Sequence, residues 1–442
     1  MTASPSRRWA YLALYESERR GQDPRSLLEK LWGEGKEGEG KPEDRALASA
    51  LVQGVVREKQ ALDRRLSLYV RGPLDASVRI ILRMALYQLL YLSRIPPRAV
   101  VHEAVELARE FAPRALGLVN GVLRNYLRKN PSREAPSPEE VFPSWLVAMW
   151  EEELGLAETR ALLWALSQVP DTVVRVNRRK ATLEEVKASL LLQGVEVEGG
   201  RLFPEEALRL RKTRGLRHLE AFQKGWIIVQ EESSMAAVAA LDPQPGELIL
   251  DVAAAPGGKA TYIAEKMDDR GEVVANDIDR ERLRLVKENA ERLGLKSLTY
   301  TAYDARQLPS SWARSFDRVL ADLPCSGLGV LHRRADLRWR KKRDHIDQLQ
   351  RLQKEILMGV VPVLRPGGVL VYSTCTISRK ENQEVVEFLV EEMGLQPEDL
   401  RPYLPPALKE EPSAPYGWVQ LLPHRHGTDG FFIARLRKEG NP

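Results

Sequence analysis

The chain has two cysteines in 442 residues, Cys325 in ADLPCSG and Cys375 in YSTCTISRKEN. Each follows a run of strand-forming residues, FDRVLADLP and GGVLVYST, so both stand where a strand ends. If those strands are neighbours, the two sulfurs face one pocket. A free thiol, with a pKa of about 8.5, is mostly protonated at neutral pH, so a nucleophilic cysteine needs help to ionise. Ser378 and Glu381 match the S-x-x-E capping box, which predicts a helix starting within one turn of Cys375, its positive end favouring thiolate. The other reading of a lone cysteine is a small buried apolar side chain. Asp322 ends an apolar strand three residues before Cys325, where an unpaired carboxylate is costly; the alternative is an Asp satisfied by backbone amides. Pro324 fixes the backbone between the two.

A second stretch, DVAAAPGGKA, places small residues and Gly257-Gly258 between a strand and a helix, so the backbone can come close to a ligand and aim amides at it. A phosphate-binding P-loop is excluded, because G-x-x-x-x-G-K-[ST] fails at Ala253 and Ala260. The dinucleotide form G-x-G-x-x-G is absent as well. Asp277 lies 19 residues after Gly258, near the spacing at which an acid accepts hydrogen bonds from ribose hydroxyls, and this fits an adenosine-containing ligand. Asp279 competes for that role or starts the next helix. Asp304, after the third strand, either receives an adenine amino group or forms a turn.

The elements that must position these groups follow from periodicity. After residue 240, GELILDVAAA, GEVVANDID, LTYTAYDA, FDRVLADLP and GGVLVYSTC alternate with helices from Gly258, from Arg280 and around 343–362, which predicts a parallel, doubly wound sheet. Ligands of such sheets sit beyond the carboxyl ends of the strands. Residues 1–140 read as an all-α bundle, with Leu47, Leu51 and Val55 on one stripe and Ala48, Val52 and Val56 beside it. GKEGEGKPED at 35–44 reads as a loop and PSREAPSPEE at 131–140 as a linker. Residues 141–235 open on a helix near PSWLVAMWEEELG and continue through DTVVRVN, TLEEVKASLLLQG and VEVEGGRLF as a small α+β module. Residues 236–442 form the α/β domain, Rossmann-like in its winding.

Composition bounds the rest. Hydrophobic residues at 43% suffice for packed cores, which excludes global disorder. Two cysteines build neither a disulfide framework nor a zinc set, and His424 and His426, lacking nearby thiolates, read as loop residues or as contacts to a polyanion. No secretory segment or long uncharged apolar run appears, so the expectation is a soluble cytoplasmic monomer with no membrane association. The net charge of +5 is concentrated in residues 1–140, which carry 24 Lys+Arg against 18 Asp+Glu. Basic clusters at 209–217 (RLRKTRGLR) and 333–343 (RRADLRWRKKR), with Arg175, Arg178, Arg179 and Lys180, are either solvated faces or contacts to a polyanion.

Taken in order, AAAPGGK, ANDID, YDA, ADLPCSG and YSTCTISRKEN resemble the successive motifs of the S-adenosylmethionine-dependent RNA (cytosine-5)-methyltransferases. PPRAVVHEAVELAREF and GLVNGVLRN resemble the NusB-type helical domain preceding the core in the bacterial Sun/Fmu branch, which modifies 16S ribosomal RNA. FPSWLVAMW, VRVN, GWIIVQEESSM and LPHRHGTDGFFIARL are similar to connecting motifs of that branch, so the resemblance spans nearly the whole chain. It implies that Cys375 attacks cytosine C6, that Asp322 holds or protonates N3, and that Cys325 helps remove the C5 proton. It also implies cofactor contacts from Ala253, Ala254, Ala255, Pro256, Gly257, Gly258 and Lys259, together with Asp277, Asp304 and Asp322. The implied partner is 16S ribosomal RNA or a small-subunit assembly intermediate, with basic residues 333–343 on flanking phosphates. Many relatives have Cys at position 253 and Thr at 260, where this chain has Ala. Three alternatives stay open: the same mechanism on another RNA such as tRNA, an exocyclic-amine methyltransferase, and an RNA-binding adaptor formed by the first 130 residues.

Overall fold

The stripe of Ala48, Leu51, Val52 and Val55 is buried among the N-terminal helices, with Leu47 and Val56 packed at its border, as a 3.6-residue period predicts. The computed structural model describes residues 3–34, 41–129, 136–211, 213 and 215–440. Residues 35–40 of the expected loop, 131–135 of the expected linker, and Lys212 and Arg214 of the 209–217 cluster lie outside the described residues. The chain divides into two units: Met1–Ser167 with Arg334–Arg340, and Gln168–Arg333 with Lys341–Pro442. No helix among the described residues is long and apolar enough to cross a membrane.

The first unit contains α1 (Pro5–Arg20), α2 (Pro24–Glu34), α3 (Pro42–Arg57), α4 (Lys59–Ser67), α5 (Ala76–Tyr91), α6 (Pro97–Phe111) and α7 (Leu116–Lys129). Gly54 on α3 lets α5 come close, because a Cβ there would lie 1.9 Å from the Tyr87 ring. Buried Arg83 on α5 is held by Asp63 and by Glu18, the latter at 2.6 Å. Burial pushes the Glu18 carboxyl up, but Lys59 and Arg83 outweigh it and bring it down to about 2. The unit continues through α8 (Ser144–Leu154) and α9 (Leu156–Ser167).

In the second unit a small antiparallel sheet, β1 (Thr172–Val176), β2 (Glu196–Gly199), β3 (Ala207–Arg211) and β4 (Ile227–Val229), runs in the order β2-β3-β1-β4. The large sheet contains β5 (Leu248–Asp251), β6 (Glu272–Asn276), β7 (Leu298–Thr301), β8 (Phe316–Asp322), β9 (Leu364–Thr374), β10 (Leu395–Pro397), β11 (Trp418–Leu421) and β12 (Phe431–Lys438). Its order is β10-β12-β9-β8-β5-β6-β7, with β11 also on β12. The five strands β5 to β9 pair in parallel, and helices such as Gly258–Lys266 and Arg280–Leu293 make the crossovers. The doubly wound sheet is therefore present, but it is not wholly parallel: β12 runs antiparallel to β9, with Phe432 opposite Thr374. The chain winds from β5 outward through β6 and β7, then returns to β8 on the other side of β5. The winding reverses between β5 and β8, and a ligand crevice opens at such a reversal.

Candidate active site

At that reversal the loops after β8 and β9 come together. Asp322 pairs with Ser373 in the ladder, and beyond it the sulfurs of Cys325 and Cys375 lie 3.3 Å apart, both half-buried. Contact with Cys375 pushes the Cys325 thiol well above its ordinary pKa, with burial and the charges of Cys375, Glu381 and Asp322 adding to it. Asp322 Oδ2 accepts from Lys259 Nζ at 2.6 Å and Oδ1 from the Ser373 hydroxyl at 2.9 Å. The lysine also lies 5.5 Å from the Phe431 ring centroid, a favourable place for a cation.

A cavity of about 600 Å³ opens beside the Lys259–Asp322 pair, lined by Asp251, Ala253 to Pro256, Gly258, Lys259 and Asp322 together with Gln230, Glu231 and Ser234; neither Cys325 nor Cys375 is among its lining residues. The turn from Ala253 to Gly258 is braced throughout. Ala254 N–H donates to Asn276 O at 2.8 Å, Ala255 N–H to Asp277 Oδ2 at 3.2 Å, and Asn289 Nδ2 to Pro256 O at 3.0 Å. Gly257 has φ +102, and a Cβ there would meet Val286 at 3.0 Å, so the turn requires glycine. Ala260 is buried, while the adjacent Thr261 hydroxyl donates to Gly257 O at 2.6 Å.

Not every expected residue converges on the cavity. Asp277 is buried at the end of β6, bracing the turn through Ala255 and accepting from Asp279 N–H at 3.0 Å. Asp279 caps the next helix, accepting from Glu281 and Arg282 amides. Asp304 stands apart from the cavity lining, and Arg306, bonded to it at 2.7 Å, holds its carboxyl below the usual range.

The capping box at Ser378 and Glu381 does not form. A 3₁₀ turn spans Arg379–Glu381, the helix starts at Gln383, and the buried Glu381 carboxylate turns inward to Ser326 and Gln353. Tertiary partners win over the local motif, and the helix starts too far along to assist the Cys375 thiolate as expected. Arg175 is equally unfit for phosphate. It is fully buried, bonded to Glu265 and Gly258 O, both at 2.8 Å, and 4.5 Å from the Tyr262 ring. Arg178 and Lys180 donate to carbonyls at Glu205 and Arg292.

At least four of the seven basic residues in 333–343 have partners within the protein. Arg333 pairs with Glu231 and Asp429, and Arg334 and Arg340 pair with Asp336. Arg338, in the first unit, is buried 4.0 Å from the Phe142 ring and donates to Leu166 O at 2.8 Å. A buried guanidinium must find such acceptors because leaving it unpaired is expensive. Arg338 is therefore not part of the expected phosphate-binding surface.

Asp251 was not singled out by the motifs, yet it lines the cavity, and its carboxylate has no side-chain hydrogen-bond partner among the described residues. Burial pushes it up to about 7, outweighing the pull of Lys259. Its signal in the sequence is the one Asp322 gives, an acid closing an apolar strand.

The geometry agrees with the comparisons to known proteins. A family model described as 16S rRNA methyltransferase RsmB/F matches residues 238–437. Those of the NusB family and of the RsmF/B-like ferredoxin-like domain match 4–128 and 142–217. The probable ribosomal RNA small subunit methyltransferase B of Bacillus subtilis is 39% identical over 412 residues, 90% of this chain and 91% of its own. The ribosomal RNA small subunit methyltransferase B of Yersinia pestis is 36% identical over 90% of this chain and 91% of its own. Among solved structures, PH0851 matches with a TM-score of 0.80 at 29% identity, over 97% of this chain and 98% of its own. NSun6 from Pyrococcus horikoshii, solved with SFG, matches with a TM-score of 0.61 at 26% identity, over 69% and 100%. With relatives this similar along nine-tenths of its length, the chain belongs to the 16S rRNA methyltransferase RsmB/F family.

Proposed function

We propose that the protein methylates C5 of a cytosine in 16S ribosomal RNA, free or in a small-subunit assembly intermediate, through a covalent bond between Cys375 and C6. The observation that carries this reading is the 3.3 Å contact of two thiols beside the Lys259–Asp322 pair. The family depends on S-adenosylmethionine, and the cavity suits it: a close-approach turn over Ala253 to Lys259, and a buried carboxylate, Asp251, for an ammonium group. We assign Asp277 and Asp304, at the ends of the next two strands and outside the residues that line the cavity, to its adenosine part. When bound, S-adenosylmethionine supplies a methyl group on a sulfonium, an electrophile for a carbanion-like carbon.

C5 of cytosine is a poor nucleophile until the Cys375 thiolate adds to C6 and pushes the ring electrons toward C5 and N3. Asp322 serves N3 as charge develops there. The base must leave its stack to reach a half-buried thiol. Contact with Cys375 and burial hold the Cys325 thiol up, and we assign the attack to Cys375. Bond formation to C6 removes the charge and the contact that raise the Cys325 pKa most. Cys325 can then lose its proton to solvent and, as thiolate, take the C5 proton, and the electrons of that C–H bond restore the ring double bond as Cys375 leaves as thiolate.

The test uses full-length protein, 16S RNA and methyl-labelled S-adenosylmethionine. Cys375→Ala is expected to abolish transfer, and Cys325→Ala to leave protein covalently on RNA as a shifted band on a denaturing gel. Transfer persisting in Cys375→Ala refutes the assignment.

A further inference from the structure

The register of β8 and β9 ends at Asp322 and Ser373, short of both cysteines. The chain neighbours of each sulfur are instead held by side chains that converge on Glu381 and Asn382. Ser326, after Cys325, donates both its N–H (2.8 Å) and its hydroxyl to the Glu381 carboxylate. Gln353 Nε2 donates to the carbonyl of Pro324, before Cys325, at 2.9 Å and to Glu381 at 3.2 Å. Around Cys375, the Thr374 hydroxyl donates to Asn382 Oδ1 at 2.6 Å, and Asn382 Nδ2 donates to Thr376 O at 3.1 Å. The hydroxyls of Ser326 and Thr376, 2.7 Å apart, join the two halves, and Gly329 N–H reaches Cys375 O at 3.0 Å.

All six of these side chains are buried. A carboxylate in such a place is costly to fold around, and packing alone gives no reason for one. Its acceptor oxygens fit the donors beside Cys325, and Asn382, with one acceptor and one donor group, fits the two flanks of Cys375.

The geometry points to Glu381 and Asn382 as a positioning pair for the thiol chemistry, with Glu381 fixing Cys325 and Asn382 fixing Cys375. This rests on the two-thiol reading above. Neither residue touches substrate; each acts through the cysteine it holds. Misplacing a reacting group by about 1 Å costs about 10²-fold in rate, so loss of either member should show in the step its cysteine serves.

Glu381→Gln keeps the volume but gives up an acceptor oxygen. In the full-length enzyme it is expected to leave single-turnover adduct formation within about threefold of wild type while slowing adduct release by about 10- to 100-fold. Covalent protein–RNA then accumulates. Asn382→Ala is expected to slow adduct formation instead. In a Cys325→Ala background Glu381→Gln should change release by less than about twofold, since the group it positions is gone. Ser326→Ala, which removes the hydroxyl donor and leaves Glu381 in place, repeats the release defect if Glu381→Gln melts early.

Normal release by folded Glu381→Gln and Ser326→Ala proteins would overturn the proposal, as would equal slowing of formation and release by both. The cysteine variants separate this from failure of the underlying reading. If Cys375→Ala still transfers methyl, the two-thiol reading falls and the positioning pair falls with it. If the cysteine variants behave as expected and the Glu381 variant does not, only the positioning pair falls.

Discussion

Lys259 Nζ lies 2.6 Å from Asp322 Oδ2 where the winding of the sheet reverses. Burial works against the lysine charge, but Asp322, Asp251 and Cys375 outweigh it, so Lys259 stays protonated and its pKa is raised. Both Asp322 oxygens are thus engaged before a substrate arrives, one by Lys259 and the other by Ser373. Asp322→Asn preserves shape and removes the charge. We expect kcat to fall about 10²- to 10³-fold, the scale of losing one preorganised electrostatic contact, with a much smaller change in KM for RNA. Initial rates at saturating S-adenosylmethionine measure this, and a wild-type kcat would remove Asp322 from the chemistry.

The two thiols should also differ without any substrate. Both are half-buried, but contact with Cys375 and burial hold the Cys325 thiol well above the ordinary range. Alkylation runs through thiolate. Iodoacetamide at pH 8 should therefore modify Cys375 first, by about tenfold or more on peptide mass mapping. Cys375→Ala removes the largest cause of the shift, so the pH midpoint for Cys325 alkylation should fall. Equal rates in the wild type, or an unmoved midpoint in the variant, contradict the assignment.

Much of this was legible in the sequence because it depends on local pattern. The strand-forming runs ending at Asp322 and Thr374, with a helical period between them, predict two parallel strands, and the two sulfurs meet because those strands are neighbours. What was not legible depends on partners distant in the chain. Glu381 fits a capping box by spacing, yet its donor Ser326 lies 55 residues earlier. Arg333 reads as part of a basic run until Asp429, 96 residues later, is found against it. The antiparallel β12 carries no mark of its orientation, since a strand pattern states which face is buried and not which neighbour it joins.

Asp251 makes stability and cofactor affinity depend on pH in opposite senses. Burial raises its folded-state pKa to about 7 from an ordinary 3.8. Between those values the folded protein binds more protons than the unfolded chain, so the contribution to stability is full below about pH 4 and lost as pH rises through 7. Without cofactor, the melting temperature should drop between pH 5.5 and 8, and Asp251→Asn should flatten part of that drop. Glu231, also pushed up by burial and Asp429, adds a slope of the same sign, so the difference between wild type and variant is the quantity to read. A ligand ammonium group needs the ionised carboxylate. Calorimetric affinity for S-adenosylmethionine should therefore rise with pH below 7, by up to about tenfold per unit, and lose that slope in Asp251→Asn. A flat profile in both proteins would exclude the carboxylate as a ligand.

Arg338 separates a structural from an RNA-binding role for the cluster that contains it. On composition, residues 333–343 suggest phosphate contacts, and removing one such contact reduces the salt dependence of RNA binding by about one unit of slope. The structure has Arg338 buried against Phe142 and bonded to Leu166 O, with Trp339 Nε1 donating to Val56 O at 2.7 Å. Arg338→Ala should therefore lower stability by about 3–5 kcal/mol, since it opens a cavity and leaves backbone carbonyls without their donor. Urea unfolding of the full chain measures this loss. RNA affinity measured between 50 and 200 mM salt on the folded fraction should keep its wild-type slope, and a reduced slope with unchanged stability would return Arg338 to the RNA-binding surface.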